Sequence, residues 1–121
     1  MLNVTTERFG NVLAVHVEGR IDSANFGRFL DAMKSGIEES DRAVIVNMER
    51  LVYIGSEGLR AHLMTARFLQ QRDARLVFCC VADHIRGVFE LTGMDKVGTF
   101  FATKNDAFAS LNLQEQASRR L

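Results

Sequence analysis

Two short apolar segments with a helix-like segment between them constrain most strongly what this chain can fold into. The runs 43–48 and 75–81 are almost wholly apolar, and the first is also rich in β-branched residues, which suits strands that are covered on both faces. Between them, from Ser56 onward, apolar residues recur at helical spacing. A strand, a helix and a second strand in this order predict a right-handed crossover between two parallel strands. We therefore expect strand 43–48 in the interior of a sheet and not at an exposed edge.

The amino-terminal part of the chain predicts a hairpin followed by a first crossover helix. The segments 2–9 and 11–18 indicate two strands joined at Gly10–Asn11. In the second strand, Leu13, Val15 and Val17 alternate with Val12, Ala14 and His16. Asp22 and Ser23 then precede apolar residues at helical spacing, so these side chains can cap the helix. The hairpin makes the first strand antiparallel to its neighbour.

The carboxyl-terminal part continues the alternation of helices and strands. Asp83 can cap a short helix that stops at Gly93, and a strand is predicted over 96–102. Thr103 with Asp106 three residues later resembles a capping box and opens a last helix. The predicted fold is therefore α/β: a mixed, mostly parallel sheet of about five strands, with the first strand antiparallel, and about four helices.

Length, charge and hydropathy exclude several classes of protein. The chain has 121 residues, which suits one compact domain. Its 15 Lys and Arg balance 15 Asp and Glu, so it lacks the basic excess expected of a nucleic-acid-binding module. The longest apolar run, 76–82, is far too short to cross a bilayer, and no signal peptide is evident. We expect a cytoplasmic monomer with no nucleic-acid or membrane partner, comprising one domain over residues 1–113 and a frayed tail over 114–121.

Histidine and cysteine, the usual residues of metal and nucleophilic sites, are scarce. His16, His62 and His84 show no metal-ligand spacing, so we expect neither a metal nor a cofactor. Cys79 and Cys80 are adjacent in a predicted strand, which places their side chains on opposite faces. They are interpreted as buried, reduced thiols.

One serine stands at the edge of the sheet where function is expected. In open α/β sheets this edge is formed by the loops at the carboxyl ends of the strands. Ser56 lies in such a loop, between Gly55, which permits a sharp turn, and Gly58, which leaves the first helical turn uncrowded. A phosphate attached here would lie at the positive end of the helix dipole. On local physics alone, a helix N-cap is the better interpretation of Ser56.

The loop around Ser56 also resembles the signature loop of a known family. The run 53–60, Tyr-Ile-Gly-Ser-Glu-Gly-Leu-Arg, is similar to that of STAS domains, particularly the small bacterial anti-sigma-factor antagonists. The segment 18–22, Glu-Gly-Arg-Ile-Asp, resembles the family's Gly-x-Leu/Ile-Asp turn, and 88–95 resembles its helix end. The likeness covers essentially the whole chain.

The resemblance implies a regulatory protein and not an enzyme. Members are substrates of a GHKL-type serine kinase that is also the anti-sigma factor, and the phosphorylated residue matches Ser56. The unphosphorylated form binds that kinase and frees sigma, and a PP2C-type phosphatase restores it. Many phosphorylated members carry Asp where this chain has Gly55. The partner-binding loop surface around the serine then comprises Asp22, Gly55, Glu57, Gly58 and Arg60.

A second candidate patch lies on the helix after Ser56. Met64 and Phe68 are four residues apart among polar residues, away from the helix's main apolar stripe. Two large apolar groups on a polar face indicate either a partner-binding patch or residues that a neighbouring segment covers.

Two other functions fit parts of the sequence. Asp22, Ser56 and His84 each follow a predicted strand at the same edge of the sheet, so they could converge as the acid, nucleophile and base of a small hydrolase. Alternatively, related STAS domains act as regulatory subunits of transporters or stress-sensor complexes.

Overall fold

The structure is a computed structural model that describes the backbone of residues 1–119 and the side chains of residues 1–111. Strands and helices alternate along the chain after an initial hairpin. The strands are β1 (Leu2–Phe9), β2 (Val12–Ile21), β3 (Ala43–Ile54), β4 (Arg75–Cys79) and β5 (Thr99–Phe101). The helices are α1 (Phe26–Gly36), α2 (Ser56–Gln70), α3 (Asp83–Leu91) and α4 (Lys104–Arg119), with a 3-10 turn at Met94–Lys96.

The five strands form one sheet in the order β1-β2-β3-β4-β5. The pair β1 and β2 is antiparallel, and the other neighbouring pairs are parallel. This confirms the predicted fold class, the hairpin at Gly10–Asn11 and the interior position of the strand that contains 43–48.

The register of β3 brings the candidate loop to the edge of the sheet. Its pairing with β4 ends where Asn47 faces Cys79, whereas its pairing with β2 continues to the pair Ile21 and Ile54. The carboxyl-terminal part of β3 therefore extends beyond β4 and delivers the chain to α2.

Side chains on the two faces of the sheet form two apolar clusters. The larger one joins β2, β3 and β4 to α1, α2 and α3, with Phe29, Phe78 and Phe89 fully buried. The smaller one packs Ile45 and its neighbours against Ala107 of α4. Helices on both faces explain why residues 43–46 of β3 and 76–79 of β4 are apolar.

Strand lengths differ from those expected. β2 and β3 are longer than predicted, because their mutual pairing continues past the point where exposed residues such as Arg50 break the apolar pattern. β5 is shorter than 96–102, because the chain first forms the 3-10 turn Met94–Lys96. Gly93, with φ of +73°, ends the preceding helix as predicted.

Two of the three predicted caps are wrong. Asp22 accepts a hydrogen bond from the backbone N–H of Ala24 at 3.0 Å, within a turn that precedes α1, so it does not cap that helix. Asp83 is the first residue of α3 and makes no capping hydrogen bond. Thr103 does cap α4, since its Oγ1 accepts from the N–H of Asp106 at 3.1 Å.

The two cysteines do not point to opposite faces as predicted. Cys80 has φ of +61°, and this left-handed conformation breaks the strand alternation. Both side chains consequently pack in the smaller cluster, on the α4 side of the sheet, and both are free thiols. Burial raises the pKa of the Cys79 thiol to about 12, so Cys79 is a poor nucleophile at neutral pH.

The predicted limit of the domain at residue 113 stays a prediction. The side chains of 112–121 and the backbone of 120–121 lie outside the described residues, so of the expected frayed tail, 114–121, only the backbone of 114–119 is described, as part of α4. Within the described part, no helix is long and apolar enough to span a bilayer.

Candidate functional site

The loop that contains Ser56 is anchored to the end of β2. The backbone N–H of Gly55 donates to the carbonyl oxygen of Ile21 at 2.9 Å, so the segments before α1 and before α2 are joined. The side chains of Ile21 and Ile54 are buried directly beneath. Asp22 and Ser56 consequently lie at one edge of the sheet, as predicted.

Gly58 sets the distance between α2 and the sheet. A Cβ at this residue would lie 2.7 Å from Cγ1 of Ile54 and 2.8 Å from Cγ2 of Ile21. Real Cβ atoms do not approach other atoms this closely, so only glycine allows the first turn of α2 to pack this near Ile21 and Ile54. Gly58 is buried and positions the loop, and it offers no surface to a partner.

The hydroxyl of Ser56 is exposed at the first residue of α2. It donates a hydrogen bond to Oε2 of Glu57 at 3.2 Å. Gly55, not Ser56, occupies the N-cap position, and no side chain caps the first amide groups of the helix. The N-cap interpretation of Ser56 is therefore wrong, and the hydroxyl is held only by an exposed neighbouring carboxylate.

An apolar surface next to Ser56 was not identified from the sequence. Val52 is 60% exposed and Tyr53 is 42% exposed. The guanidinium of Arg20 stacks on the Tyr53 ring at 4.3 Å from its centre, and a Cβ at Gly55 would lie 3.3 Å from the Tyr53 hydroxyl. The available signal was that Val52 and Tyr53 follow the charged pair Glu49–Arg50 after one residue, where the signature loop begins.

Asn25 orders the neighbouring loop and was also missed. Its Oδ1 accepts from the backbone N–H of Asp22 at 2.9 Å, and its Nδ2 donates to the carbonyl oxygen of Arg20 at 2.9 Å. Both ends of one amide side chain thus hold the chain where β2 leaves the sheet. Asp22 itself is half-buried and turned toward its own loop.

The exposed ridge of α2 carries Ser56, Arg60 and Met64 at intervals of four residues. Met64 is 39% exposed, and its part in partner binding stays a prediction. Phe68 is not on this open surface: it is half-buried and packs against the main core. α1 lies beside α2 and covers it, with Lys34 over the ring, while Arg72 stacks at 4.2 Å from the ring centre.

The catalytic triad of the hydrolase alternative is not assembled. Nε2 of His84 lies 3.0 Å from the carbonyl oxygen of Val52, and the Ser56 hydroxyl donates to Glu57. No base therefore engages the serine hydroxyl. Among the described residues, no group of three His, Cys, Asp or Glu side chains could hold a metal ion.

His62 connects the site to the core. Its Nδ1 lies 2.8 Å from the carbonyl oxygen of Gly58, and its ring is surrounded by Phe29, Phe78 and Phe89. Burial lowers the pKa of His62 to about 4, so the imidazole is neutral at pH 7. A neutral ring that bonds a carbonyl oxygen must carry its proton on Nδ1.

Comparison with known proteins identifies the class to which this fold and loop belong. A family model for the STAS domain matches residues 3–107, and the chain belongs to that family. Its relatives include BtrV of Bordetella bronchiseptica, which is named as a candidate anti-sigma factor antagonist. BtrV is 32% identical over 92 residues, which cover 76% of this chain and 79% of BtrV.

Solved structures show the same fold. An anti-sigma factor antagonist from Mycobacterium paratuberculosis superposes with a TM-score of 0.83 at 22% identity, covering 93% of this chain and 95% of that one. The Bacillus cell fate determinant SpoIIAA in its phosphorylated form superposes with a TM-score of 0.70 at 20% identity, covering 90% and 99%. Anti-sigma factor antagonists are non-enzymatic regulators, which confirms the prediction that the chain is not an enzyme.

Proposed function

We propose that this chain is a phosphorylation-gated protein-binding switch. Its unphosphorylated form binds a GHKL-type serine kinase that is also an anti-sigma factor, and this binding frees sigma. Phosphorylation of Ser56 ends the complex, and a PP2C-type phosphatase restores the binding form. The observation that carries the proposal is the exposed Ser56 hydroxyl, which lies on the first turn of α2 where a partner could contact it.

The surface around Ser56 has the composition of a binding site. Val52 and Tyr53 supply exposed apolar area on one side, and Arg60 and Met64 continue it along α2. Tyrosine, methionine and arginine are enriched in protein interfaces, and a mixed apolar and charged patch fits that composition. Because Gly55 and Gly58 have no side chains, they do not block the approach of a partner to the Ser56 hydroxyl.

The fold tolerates a phosphate at this position. The first amide groups of α2 have no side-chain cap, and they lie at the positive end of the helix dipole. An anion placed there is stabilised by about 0.3–1 kcal/mol when exposed. Phosphorylation is therefore expected to leave the domain folded.

The same phosphate would weaken a protein complex. It adds about 1.5–2 negative charges at pH 7 beside the Glu57 carboxylate, which currently accepts the Ser56 hydrogen bond. It also places a strongly hydrated group near the exposed Tyr53, whose hydroxyl approaches Gly55, where docking requires desolvation. Repulsion and desolvation both act at the contact surface without refolding the domain.

The relatives support this proposal. BtrV is named as a candidate anti-sigma factor antagonist, and SpoIIAA has been solved in a phosphorylated form. The Ser56 loop of this chain has the glycines and the helix start on which a similar switch would rest.

Phosphorylation can be tested with the cognate GHKL kinase and ATP. We expect mass spectrometry to find one phosphate, on Ser56, and none on the Ser56→Ala variant. Ser23→Ala is the matched control, because Ser23 is an exposed serine in the adjacent loop. Phosphate on Ser23 or elsewhere, or no phosphate on the wild type, would contradict the proposal.

A further inference from the structure

A groove of about 540 Å³ separates the second half of α2 from the 3-10 turn Met94–Lys96. It lies away from the proposed switch. Arg67 at its rim is 11 residues after Ser56 in α2, which corresponds to about 16 Å along the helix axis because the rise is about 1.5 Å per residue. The groove has an apolar interior, formed by Leu63, Ala66, Ala74, Leu76, Met94 and Val97.

The apolar side chains of the groove are incompletely covered. Leu76 at the start of β4 is only 5% exposed and forms part of the floor. Leu63, Met94 and Val97 are half-buried and face the same space from opposite sides. Filling the groove with apolar groups would remove this surface from water, which is favourable.

The charged residues of the groove are all basic. Arg67, Arg75 and Lys96 line it, and no Asp or Glu is among its described lining residues. Within residues 1–111, Arg67 and Lys96 make no ion pair. On a chain with no net charge, this is a local separation of charge that an acidic ligand would complement.

The cations lie on both rims of the apolar interior. Arg67 belongs to α2, and Lys96 belongs to the turn on the opposite side. A small inorganic anion would pair with one rim and leave the apolar floor exposed. An amphipathic helix with an apolar stripe and carboxylates on its flanks would satisfy the floor and both rims together.

We propose that the groove between α2 and the 3-10 turn Met94–Lys96 is a docking site for an acidic amphipathic segment of a partner protein. Carboxylates of that segment pair with Arg67 and Lys96, and its apolar stripe lies on Leu63, Leu76 and Met94. The site is separate from Ser56, so it can hold a partner in either phosphorylation state.

The direct test is a synthetic helical peptide with leucines on one face and glutamates on both flanks. Two control peptides have the same residues rearranged without an apolar face, or lysine in place of glutamate. We expect the wild type to bind the first peptide on the order of tenfold more tightly than either control in fluorescence anisotropy. Amide chemical shifts should move at Leu63, Gly93 and Val97 and not at the Ser56 loop.

Charge-reversal variants assign the binding to the groove. Arg67→Glu combined with Lys96→Glu should abolish the preference, and thermal unfolding checks that the double variant is folded. Arg28→Glu, which reverses one charge at an exposed position on α1 where the double variant reverses two, should bind as the wild type does.

Three results would overturn the proposal. The first is equal binding of all three peptides by the wild type. The second is a loss of peptide affinity in Arg28→Glu as large as that in the double variant. The third is self-association of the wild type that the double variant abolishes, because the occupant of the groove would then be a second copy of the chain. Phosphorylation of Ser56 in the folded double variant is measured separately, so failure of the groove and failure of the switch are distinguishable.

Discussion

Nδ1 of His62 donates a hydrogen bond to the carbonyl oxygen of Gly58 at 2.8 Å and ties the aromatic core to the first turn of α2. The ring centres of Phe29, Phe78 and Phe89 lie 5.0–5.8 Å from the imidazole, and its Nε2 has no hydrogen-bond partner among the described residues. The Ser56 loop is thus supported by one neutral, buried side chain.

Acid should weaken the fold through His62. Burial lowers its pKa from 6.5 to about 4, against the smaller opposing effect of the Gly58 hydrogen bond. Between these pH values the unfolded chain binds a proton that the folded chain does not. The free energy of unfolding therefore falls as the pH falls through this window, by about 3 kcal/mol in total.

Urea denaturation of wild type and His62→Gln from about pH 7 to pH 4 measures this contribution. The variant should lose less stability on acidification than the wild type. Equal pH dependence in the two proteins would contradict the assignment to His62.

Gly58→Ala should displace the first turn of α2. The new Cβ would clash with buried Ile21 and Ile54, so we expect a loss of about 1–3 kcal/mol and altered amide chemical shifts at Ser56. Gly87→Ala is the control, because Gly87 lies in α3 with nothing within 4 Å of the added atom. That change should be neutral or stabilising by up to about 1 kcal/mol. Similar results for both variants would contradict the close approach at Gly58.

Arg8 holds the loop between α1 and β3 through a buried carboxylate. The guanidinium of Arg8 donates hydrogen bonds to Oδ1 of Asp41 and to the carbonyl oxygen of Gly36. The other carboxylate oxygen of Asp41 accepts a hydrogen bond from the backbone N–H of Glu38 at 2.8 Å. Arg8→Ala leaves the buried carboxylate of Asp41 without its cation, which should lower the free energy of unfolding by about 2–3 kcal/mol. The loss is moderate because Arg8 itself is partly exposed. Arg50→Ala, an exposed change on β3, should stay within about 0.5 kcal/mol in the same denaturation experiment. A loss as small as that of Arg50→Ala would refute the anchoring role.

Phe68 and Met64 should separate stability from binding. Phe68→Ala removes a half-buried ring from the core and should cost about 1–2 kcal/mol in thermal or urea unfolding. Met64→Ala, on the exposed ridge, should cost less than about 0.5 kcal/mol but weaken the kinase complex. A stable Phe68→Ala variant that binds poorly would return Phe68 to the partner surface.

The sequence predicts the architecture well because hydrophobic periodicity decides it. The apolar run 43–48 and the change to helical spacing at Ser56 are enough to place β3, the start of α2 and the functional edge. The resemblance of the signature loop then leads to the family.

Details that depend on tertiary contacts were not predictable. Phe68 looks exposed on a helical wheel, and only the position of α1 covers it. Cys80 looks like a regular strand residue, and its positive φ reverses the direction of its side chain. Asp22 looks like a helix cap in the sequence, whereas in the structure the amide of Asn25 holds the loop, because an amide side chain both donates and accepts hydrogen bonds.

The central claim is tested most directly by the affinity of the chain for its GHKL-type kinase before and after phosphorylation of Ser56. Calorimetry with unphosphorylated chain, the Ser56→Ala variant and a chain carrying phosphoserine at residue 56 gives the three dissociation constants. We expect tight binding by the first two and binding weaker by at least about tenfold for the third. Equal affinity of the phosphorylated and unphosphorylated chains would contradict the switch.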